Sequence, residues 1–485
     1  MNTTATESNP PTRESSLDRQ DRQTAQRKPL SKDATHIIAI HAKSKSSTLS
    51  HDTPQMPSFL GFRNLMVLAL VVMNLRLVVE NFLKYGVLIC IKCHDYRKQD
   101  LILSAILYAI VPCHLFAALS IEVAAARHIR GVLGFRKKNE DVKVEETSGQ
   151  HDYTWTFIAL AHGFNATLCL MITSCAVYYG IHHPMMGTIS ELHAIIVWLK
   201  ICSYAFTNRD LRQAMLKSED CTAIPELYSS CPYPKNLTIG NLCYFWWAPT
   251  LVYQPVYPRT PHIRWGFVAK RLAELACLSI FIWLTSAQYA APTLRNSFDK
   301  IASMDIGSII ERLMKLSIIS SIIWLAGFFA VFQSTLNALA EVMRFGDREF
   351  YTDWWNSPSV GVYWRSWNKP VYNFMKRHIF LPLIARGWNP QVAAIMVFVF
   401  SGILHEALVG IPTHNILGIA FAGMVIQIPL ILGTAPLEKA NSVNGKTIGN
   451  MVFWTSFCLV GQPIGALMYF FAWQAKYGSV SKAAL

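Results

Sequence analysis

One histidine of this 485-residue chain lies beside a second ionisable side chain inside an apolar segment. His405 and Glu406 end the stretch Ser401-Gly-Ile-Leu-His-Glu406, with hydrophobic residues on both sides. Ionisable groups in membrane-length apolar segments cost about 3 kcal/mol or more each, so they are candidates for function. A neutral imidazole, with an ordinary pKa of about 6.5, suits a general base that takes a proton from an alcohol. A hydrogen-bonded packing residue fits the same pattern, and the residue types alone leave both interpretations open.

Other polar side chains in apolar segments have a structural interpretation beside the functional one. Gln427 and Gln462 are amides that need partners, either through an interhelical hydrogen bond or by lining a polar cavity with His405. The remaining histidines in apolar stretches are interpreted as packing residues: His114, His162 and His193. The spacing i, i+4, i+8 predicts an ion ladder along one helix face, formed by Arg76, Glu80 and Lys84.

Several functional classes lack their sequence signatures. The chain has no GxxxxGK[ST] phosphate loop, no GxSxG elbow, no HExxH motif and no paired Cys/His frame for zinc. The single CxxC, formed by Cys90 and Cys93, is interpreted as small apolar packing. ATP-driven transport and metal-dependent hydrolysis are therefore disfavoured, and no metal or other cofactor is expected.

The composition indicates which elements must position these residues. Hydrophobic side chains make up 52% of the chain and charged ones 15%, and the mean hydropathy is +0.26. This balance is typical of an all-α polytopic membrane protein. Nine spans are predicted, at about 64–90, 101–126, 155–178, 191–206, 268–288, 317–341, 391–410, 416–433 and 450–475.

The charge distribution predicts an orientation in the membrane. With the N-terminus in the cytosol, the cytosolic segments carry 30 Lys and Arg residues and the opposite side carries 9. Because basic residues favour the cytosolic side, this orientation is preferred, and nine spans then place the C-terminus in the lumen. The polar residues 1–58 are expected to form a disordered cytosolic tail. The membrane domain is assigned to 59–478 and a short lumenal tail to 479–485.

The cytosolic connection 342–390 is too aromatic for a simple linker. It holds five of the 14 tryptophans: Trp354, Trp355, Trp364, Trp367 and Trp388. Tryptophan prefers the headgroup level of a membrane, where the ring has an apolar side and a wet edge. The connection is therefore predicted to form short helices that lie in the interface or fold back into the protein.

A motif in this connection resembles the FYxDWWN signature of sterol O-acyltransferases and type-1 diacylglycerol O-acyltransferases, within the membrane-bound O-acyltransferase superfamily. The matching residues are Phe350, Tyr351, Asp353, Trp354, Trp355 and Asn356. Longer strings resemble the diacylglycerol branch, among them Asn74 to Gly86, Ala248 to Tyr253 and Gly461 to Tyr469. Together these strings run from about residue 60 to 475.

The resemblance implies a fold with about nine transmembrane helices around an intramembrane reaction chamber, and with interfacial cytosolic helices. It implies that His405 is the catalytic histidine, with Asn368 and Glu406 in the same catalytic set. It further implies that Gln427 and Gln462 line the chamber. The implied acyl-CoA contact region consists of Trp364, Arg365, Ser366, Trp367, Asn368, Lys369, Pro370, Val371 and Tyr372. Ala407, Phe380 and Pro390 depart from the family pattern, since a tyrosine, a tyrosine and a basic residue are expected there.

The implied activity is transfer of a fatty acyl group from acyl-CoA to the free hydroxyl of 1,2-diacylglycerol in the endoplasmic reticulum membrane. Triacylglycerol and CoA are the products, so acyl-CoA is a substrate and no cofactor is needed. Implied partners are membrane lipid and further copies of the chain, as a homodimer or homotetramer, without nucleic acid. Two alternatives stay open: acylation of a sterol or wax alcohol on the same fold, and a transporter or scaffold without turnover.

Overall fold

The computed structural model describes residues 60–88, 97–138, 148–217, 225–297, 306–439 and 443–481. Within these residues the regular structure is helical, apart from one isolated bridge between Arg259 and Phe345. This confirms the expected all-α class. The predicted tail 1–58, the Cys90 and Cys93 pair and the last residues of the predicted lumenal tail lie outside the described residues.

The chain divides into two units, residues 1–84 and 85–485. The described part of the first unit is one helix, α1 (Leu60–Tyr85, whose last residue belongs to the second unit). On it, Arg76 Nε donates to Glu80 Oε1 at 2.8 Å, as the i, i+4 spacing predicts. This pair confirms the first step of the predicted ion ladder.

The second unit is built from helices that differ greatly in length. They are α2 (Lys98–Ile110), α3 (Cys113–Lys138), α4 (Ser148–Gly180), α5 (Pro184–Lys217), α6 (Ile239–Trp247), α7 (Trp265–Thr285), α8 (Ala291–Arg295), α9 (Ile306–Phe328), α10 (Leu336–Val342), α11 (Val360–Ser366), α12 (Lys369–Met375), α13 (Leu381–Ala385), α14 (Pro390–Gly410), α15 (Ile419–Val425), α16 (Gln427–Lys439), α17 (Val443–Thr455) and α18 (Gln462–Ser481). Short π-helical segments join α7 to α8, α9 to α10, α12 to α13, and α17 to α18. These joints keep the chain helical through each pair, so the backbone stays hydrogen-bonded.

Eight helical stretches of the described chain are long and apolar enough to cross a membrane. The count of nine spans is therefore not confirmed. The difference is the predicted span 268–288, which forms α7 but carries Lys270, Arg271 and Glu274. Arg271 Nη1 donates to Glu274 Oε2 at 2.7 Å, so two of these charges form an ion pair on the helix. The short predicted span 191–206 lies inside the much longer α5.

The aromatic connection 342–390 folds back into the protein in its central part. Trp354 is only 1% exposed, and its ring lies 5.2 Å from that of Trp324 on α9 and 5.8 Å from that of Trp454 on α17. Trp355 and Trp388, in contrast, are exposed. The connection therefore folds back into the protein around Trp354, whereas Trp355 and Trp388 lie on its surface.

A buried carboxylate ties this connection to the helices before it. Glu341, at the end of α10, is fully buried and accepts from the Arg264 backbone N–H at 2.7 Å and from Arg264 Nη2 at 2.9 Å. Its second oxygen also accepts from Arg348, shortly before the Phe350 motif. One side chain thus fixes the start of α7, the end of α10 and the approach to the motif.

We expect Glu341→Gln to lower the thermal unfolding midpoint of the detergent-purified chain. The amide cannot compensate the two guanidinium groups, and a lost charge-assisted hydrogen bond costs about 1.5–3 kcal/mol. The matched control is Glu311→Gln, because the Glu311–Lys315 pair is exposed and such pairs contribute at most about 1 kcal/mol. Equal midpoints for the two variants would contradict an anchoring role for Glu341.

Candidate active site

His405 lies inside α14 with one ring nitrogen fixed by the helix itself. Its Nδ1 is 2.8 Å from the carbonyl oxygen of Ser401, one turn earlier, and 3.4 Å from the Ser401 hydroxyl. A carbonyl oxygen only accepts hydrogen bonds, so Nδ1 carries the proton of the neutral ring. The lone pair is then on Nε2, which has no hydrogen-bond partner among the described residues. The half-buried ring therefore presents a free basic nitrogen.

Glu406 points to a different part of the protein. Its Oε1 accepts from the Gly418 N–H at 2.8 Å, and its Oε2 accepts from the Phe421 N–H at 3.2 Å and from Tyr469 Oη at 2.7 Å. Gly418 has the left-handed φ of +75° that turns the chain into α15. Glu406 thus supplies acceptors to the unpaired N–H groups at the start of α15. Its predicted place in the catalytic set stays a prediction, and these contacts favour a positioning role.

Asn368 is the N-cap residue of α12. Its Oδ1 accepts from the Val371 N–H at 3.2 Å, which fixes the orientation of the side-chain amide. The amide Nδ2 donors make no hydrogen bond within the described residues and belong to a half-buried side chain. The donor end of the Asn368 amide is therefore available for a further hydrogen bond.

The FYxDWWN motif holds the turn that carries Asn368. The Thr352 N–H donates to the Ser366 carbonyl at 2.8 Å, and the Lys369 N–H donates to the Phe350 carbonyl at 3.0 Å. These two backbone bonds enclose Asn368. Of the motif side chains, Phe350 and Trp354 are buried, whereas Asp353, Trp355 and Asn356 are exposed. Tyr351 Oη donates to Gln333 Oε1 at 2.6 Å, within the π segment after α9.

The segment 364–372, predicted to contact acyl-CoA, packs against the helices that carry His405 and Gln427. Trp364 Nε1 donates to Gln427 Oε1 at 3.3 Å, and the Trp364 ring lies 5.7 Å from that of Phe398 on α14. The remaining residues divide into buried and surface positions. Ser366 is buried, Trp367 packs on Phe332, and Val371 packs against a buried apolar cluster. Pro370 lies in the first turn of α12. Towards the surface, Lys369 and Lys376 lie over the Tyr372 ring, and Arg365 pairs with Glu438.

Helices α12 and α14 meet through one apolar cluster. Phe374 and Met375 of α12 pack in the same buried cluster as Leu404, the residue before His405. The structure therefore brings the elements that carry Asn368 and His405 together.

Gln462 starts α18, and its Oε1 is buried without a hydrogen-bond partner in the described part of the chain. Such an atom marks a place for a polar partner. The chamber that would join these groups stays a prediction.

Two polar residues near this site have no counterpart in the sequence predictions. Lys200, fully buried in α5, donates to the carbonyls of Phe245, Trp246 and Ala248 at 2.7, 2.8 and 2.8 Å. It thereby caps the C-terminal end of α6. Ser203, one turn further, accepts from the Tyr253 N–H at 2.8 Å. A lysine in a predicted span indicates a buried polar contact and could have been found from the sequence, whereas a serine in a span gives no such indication.

Ser203 also fixes a histidine next to the acyl-CoA segment. Its Oγ lies 2.7 Å from His378 Nε2, in the π segment Lys376–Phe380. Burial, together with the nearby charges of Arg377 and Arg209, lowers the pKa of His378 to about 4. The ring is therefore neutral, and its Nε2 accepts the serine proton.

The departures from the family pattern lie at the borders of this region. Ala407 follows Glu406 on α14, Phe380 ends the π segment, and Pro390 opens α14 behind the Asn389 cap. None of them contacts His405 through a hydrogen bond among the described residues. Within the same residues, no group of three His, Cys, Asp or Glu side chains is arranged to hold a metal ion.

Comparison with known proteins adds to this geometry. A family model described as the membrane-bound O-acyltransferase family matches residues 147–470, a range that includes Asn368, His405 and Gln462. The chain is 34% identical over 452 residues to diacylglycerol O-acyltransferase 1C of Glycine max, covering 91% of this chain and 81% of that relative. It is 33% identical over 455 residues to diacylglycerol O-acyltransferase 1 of Arabidopsis thaliana, covering 92% and 79%. The chain therefore belongs to the membrane-bound O-acyltransferase family.

Proposed function

We propose that this chain transfers a fatty acyl group from acyl-CoA to the free hydroxyl of diacylglycerol, forming triacylglycerol and CoA. The family match and the names of relatives aligned over nine-tenths of the chain support the reaction. The single structural observation that supports the mechanism is the hydrogen bond from His405 Nδ1 to the Ser401 carbonyl. It leaves Nε2 free for proton transfer.

In this mechanism His405 acts as the general base. Nε2 takes the proton of the diacylglycerol hydroxyl while its oxygen attacks the thioester carbonyl carbon. The tetrahedral intermediate collapses by breaking the carbon–sulfur bond, and the CoA sulfur leaves with the proton that the imidazolium returns. Proton and charge therefore balance without a further reactant. The Asn368 amide, held by its cap to Val371, donates to the carbonyl oxygen as negative charge develops.

The two substrates come from different phases, which explains why the base lies in a membrane helix. Diacylglycerol dissolves in lipid, whereas CoA is a water-soluble polyanion. The segment 364–372 and the basic residues in and after it would receive CoA from the cytosol. These basic residues are Arg365, Lys369, Lys376, Arg377 and Arg386. The same proposal includes a cytosolic N-terminus and a location in the endoplasmic reticulum membrane, and it keeps the homodimer or homotetramer that the family resemblance implies.

We expect the purified chain to convert labelled oleoyl-CoA to triacylglycerol when diacylglycerol is the acceptor. Cholesterol and hexadecanol, offered separately at the same concentration, should give at least about tenfold less ester, because a cavity fitted to one acceptor loses affinity for another. Thin-layer chromatography of the labelled lipids measures all three products. A larger yield of sterol ester or wax ester would overturn the proposed acceptor.

We expect His405→Asn to lower kcat by about 10²–10⁴ because the base is removed. The asparagine amide still reaches the Ser401 carbonyl, so expression and thermal midpoint should stay close to those of the parent chain. His193→Ala is the matched control, since this histidine stacks on Tyr108 with ring centroids 4.3 Å apart and lies outside the proposed catalytic set. Full turnover in the His405 variant would support a base elsewhere.

Two substitutions at Asn368 separate capping from catalysis. Asn368→Asp keeps an acceptor for the Val371 N–H but removes the amide donor, so we expect a near-parental thermal midpoint and a kcat lower by about 10²–10³. Asn368→Ala removes both groups and should also destabilise the protein by about 1 kcal/mol. If Asn368→Asp kept its kcat, the residue would be a helix cap and nothing more.

A further inference from the structure

A cavity of about 190 Å³ lies between α4 and α5, away from the proposed reaction centre. Its lining contains neither His405 nor any residue of the segment 364–372. One part is apolar and includes Ile158, Ala166, Ile201 and Ala205. The polar part is formed by His162, Arg209, Arg212 and Gln213. The cavity therefore has the two-part character of a site for an amphiphile.

The polar part is built around a buried guanidinium group. Arg212 is 4% exposed, and its Nη1 donates to Glu122 Oε1 at 2.6 Å while the guanidinium lies 4.8 Å from the Trp155 ring centroid. Glu122 also accepts from Tyr233 Oη at 3.0 Å. Arg209 pairs with its exposed neighbour Asp210, an arrangement that contributes at most about 1 kcal/mol and yields easily to a better anion.

His162 has a buried nitrogen without a partner. His162 is only 6% exposed, and its Nε2 lies 3.4 Å from Glu122 Oε2. Nδ1 makes no hydrogen bond within the described residues. An unpaired buried polar atom costs about 1–3 kcal/mol, so a ligand that pairs with it is favoured. Because Nε2 donates to the Glu122 carboxylate, Nδ1 is the acceptor nitrogen of the ring, and it can pair with a hydroxyl group of the ligand such as that of a lysolipid.

The size limits what can bind. The volume equals about six water molecules at about 30 Å³ each, enough for an anionic head and the first carbons of one chain. The volume is too small to hold a whole CoA nucleotide or both chains of a two-chain lipid. We propose that this cavity binds a single-chain amphiphile with an anionic head, either a fatty acid carboxylate or a lysolipid phosphate.

The cavity is joined to the acyl-CoA region through one ring. Phe206 lines the cavity, and its centroid lies 5.6 Å from that of His378. His378 in turn contacts Ser203 and belongs to the π segment that continues α12. A ligand that displaces Phe206 would therefore shift α12, the helix that Asn368 caps. This second step rests on the proposed function, whereas binding does not.

Photolabelling of the full chain in lipid nanodiscs tests the binding site without any assay of activity. A diazirine palmitate should label residues 155–166 and 201–216 saturably, and oleate or lysophosphatidate should compete while oleyl alcohol should not. Whichever anion competes at the lower concentration identifies the head group. Non-saturable labelling, or equal competition by oleyl alcohol, would show ordinary lipid contact and overturn the proposal.

Two variants with matched controls localise the effect. Ala205→Trp fills the cavity and should abolish labelling, whereas Ala269→Trp on the exposed surface of α7 should not. Arg209→Gln should weaken competition by the anion about fivefold, the equivalent of about 1 kcal/mol, and Arg295→Gln should not. Since Arg209 is exposed, this second pair remains informative even if the tryptophan variant fails to fold.

The coupling has its own readout. The competing anion should change the apparent KM for oleoyl-CoA at least about twofold in the parent chain, and Arg209→Gln should need about fivefold more anion for the same change. An equal change in both chains at the same anion concentration would indicate competition at the reaction centre and contradict coupling through Phe206. Labelling without any change in KM would retain the site and remove the coupling.

Discussion

The proposed chemistry depends on one hydrogen bond inside a membrane helix, from His405 Nδ1 to the Ser401 carbonyl. A helix interior offers a side chain few partners, because almost every N–H and carbonyl is already paired along the axis. A histidine four residues after a carbonyl can nevertheless share that carbonyl with the backbone. The helix itself therefore selects the tautomer, and the base needs no carboxylate beside it. This arrangement suits a low-dielectric site, where an unpaired carboxylate would be costly.

The adjacent carboxylate serves the packing of α14 against α15. Glu406 holds the N-terminal end of α15, and Gly402 lets that helix come close, since a Cβ there would lie 2.8 Å from Phe421 Cδ2. Tyr469 of α18 donates to the same carboxylate. The histidine and the glutamate thus face different elements, because neighbours on a helix point about 100° apart. In the proposed mechanism the histidine transfers the proton, and the glutamate positions the helix that follows.

The sequence was sufficient for the helical class, for most spans and for the residues of the motif, because these depend on local composition. The sequence was insufficient to predict the role of an ionisable side chain that fits two different roles. The hydropathy of α7 resembled a span, although Lys270, Arg271 and Glu274 place three charged side chains in its first half. The family resemblance put Glu406 in the catalytic set with His405, whereas its hydrogen bonds come from residues 12 to 63 positions away. Such contacts leave no local signal.

The FYxDWWN motif illustrates how a conspicuous sequence can act through its backbone. Three of its side chains are exposed, yet its N–H and carbonyl groups bond to Ser366 and Lys369 on either side of Asn368. Trp354 holds the centre of the loop by packing between α9 and α17. Glu341 holds the residues just before the motif through its bond with Arg348. A turn at the membrane surface would otherwise exchange these bonds with water. Because the loop is held at both ends and in its centre, the amide of Asn368 can remain in one orientation without a side-chain partner for its donors.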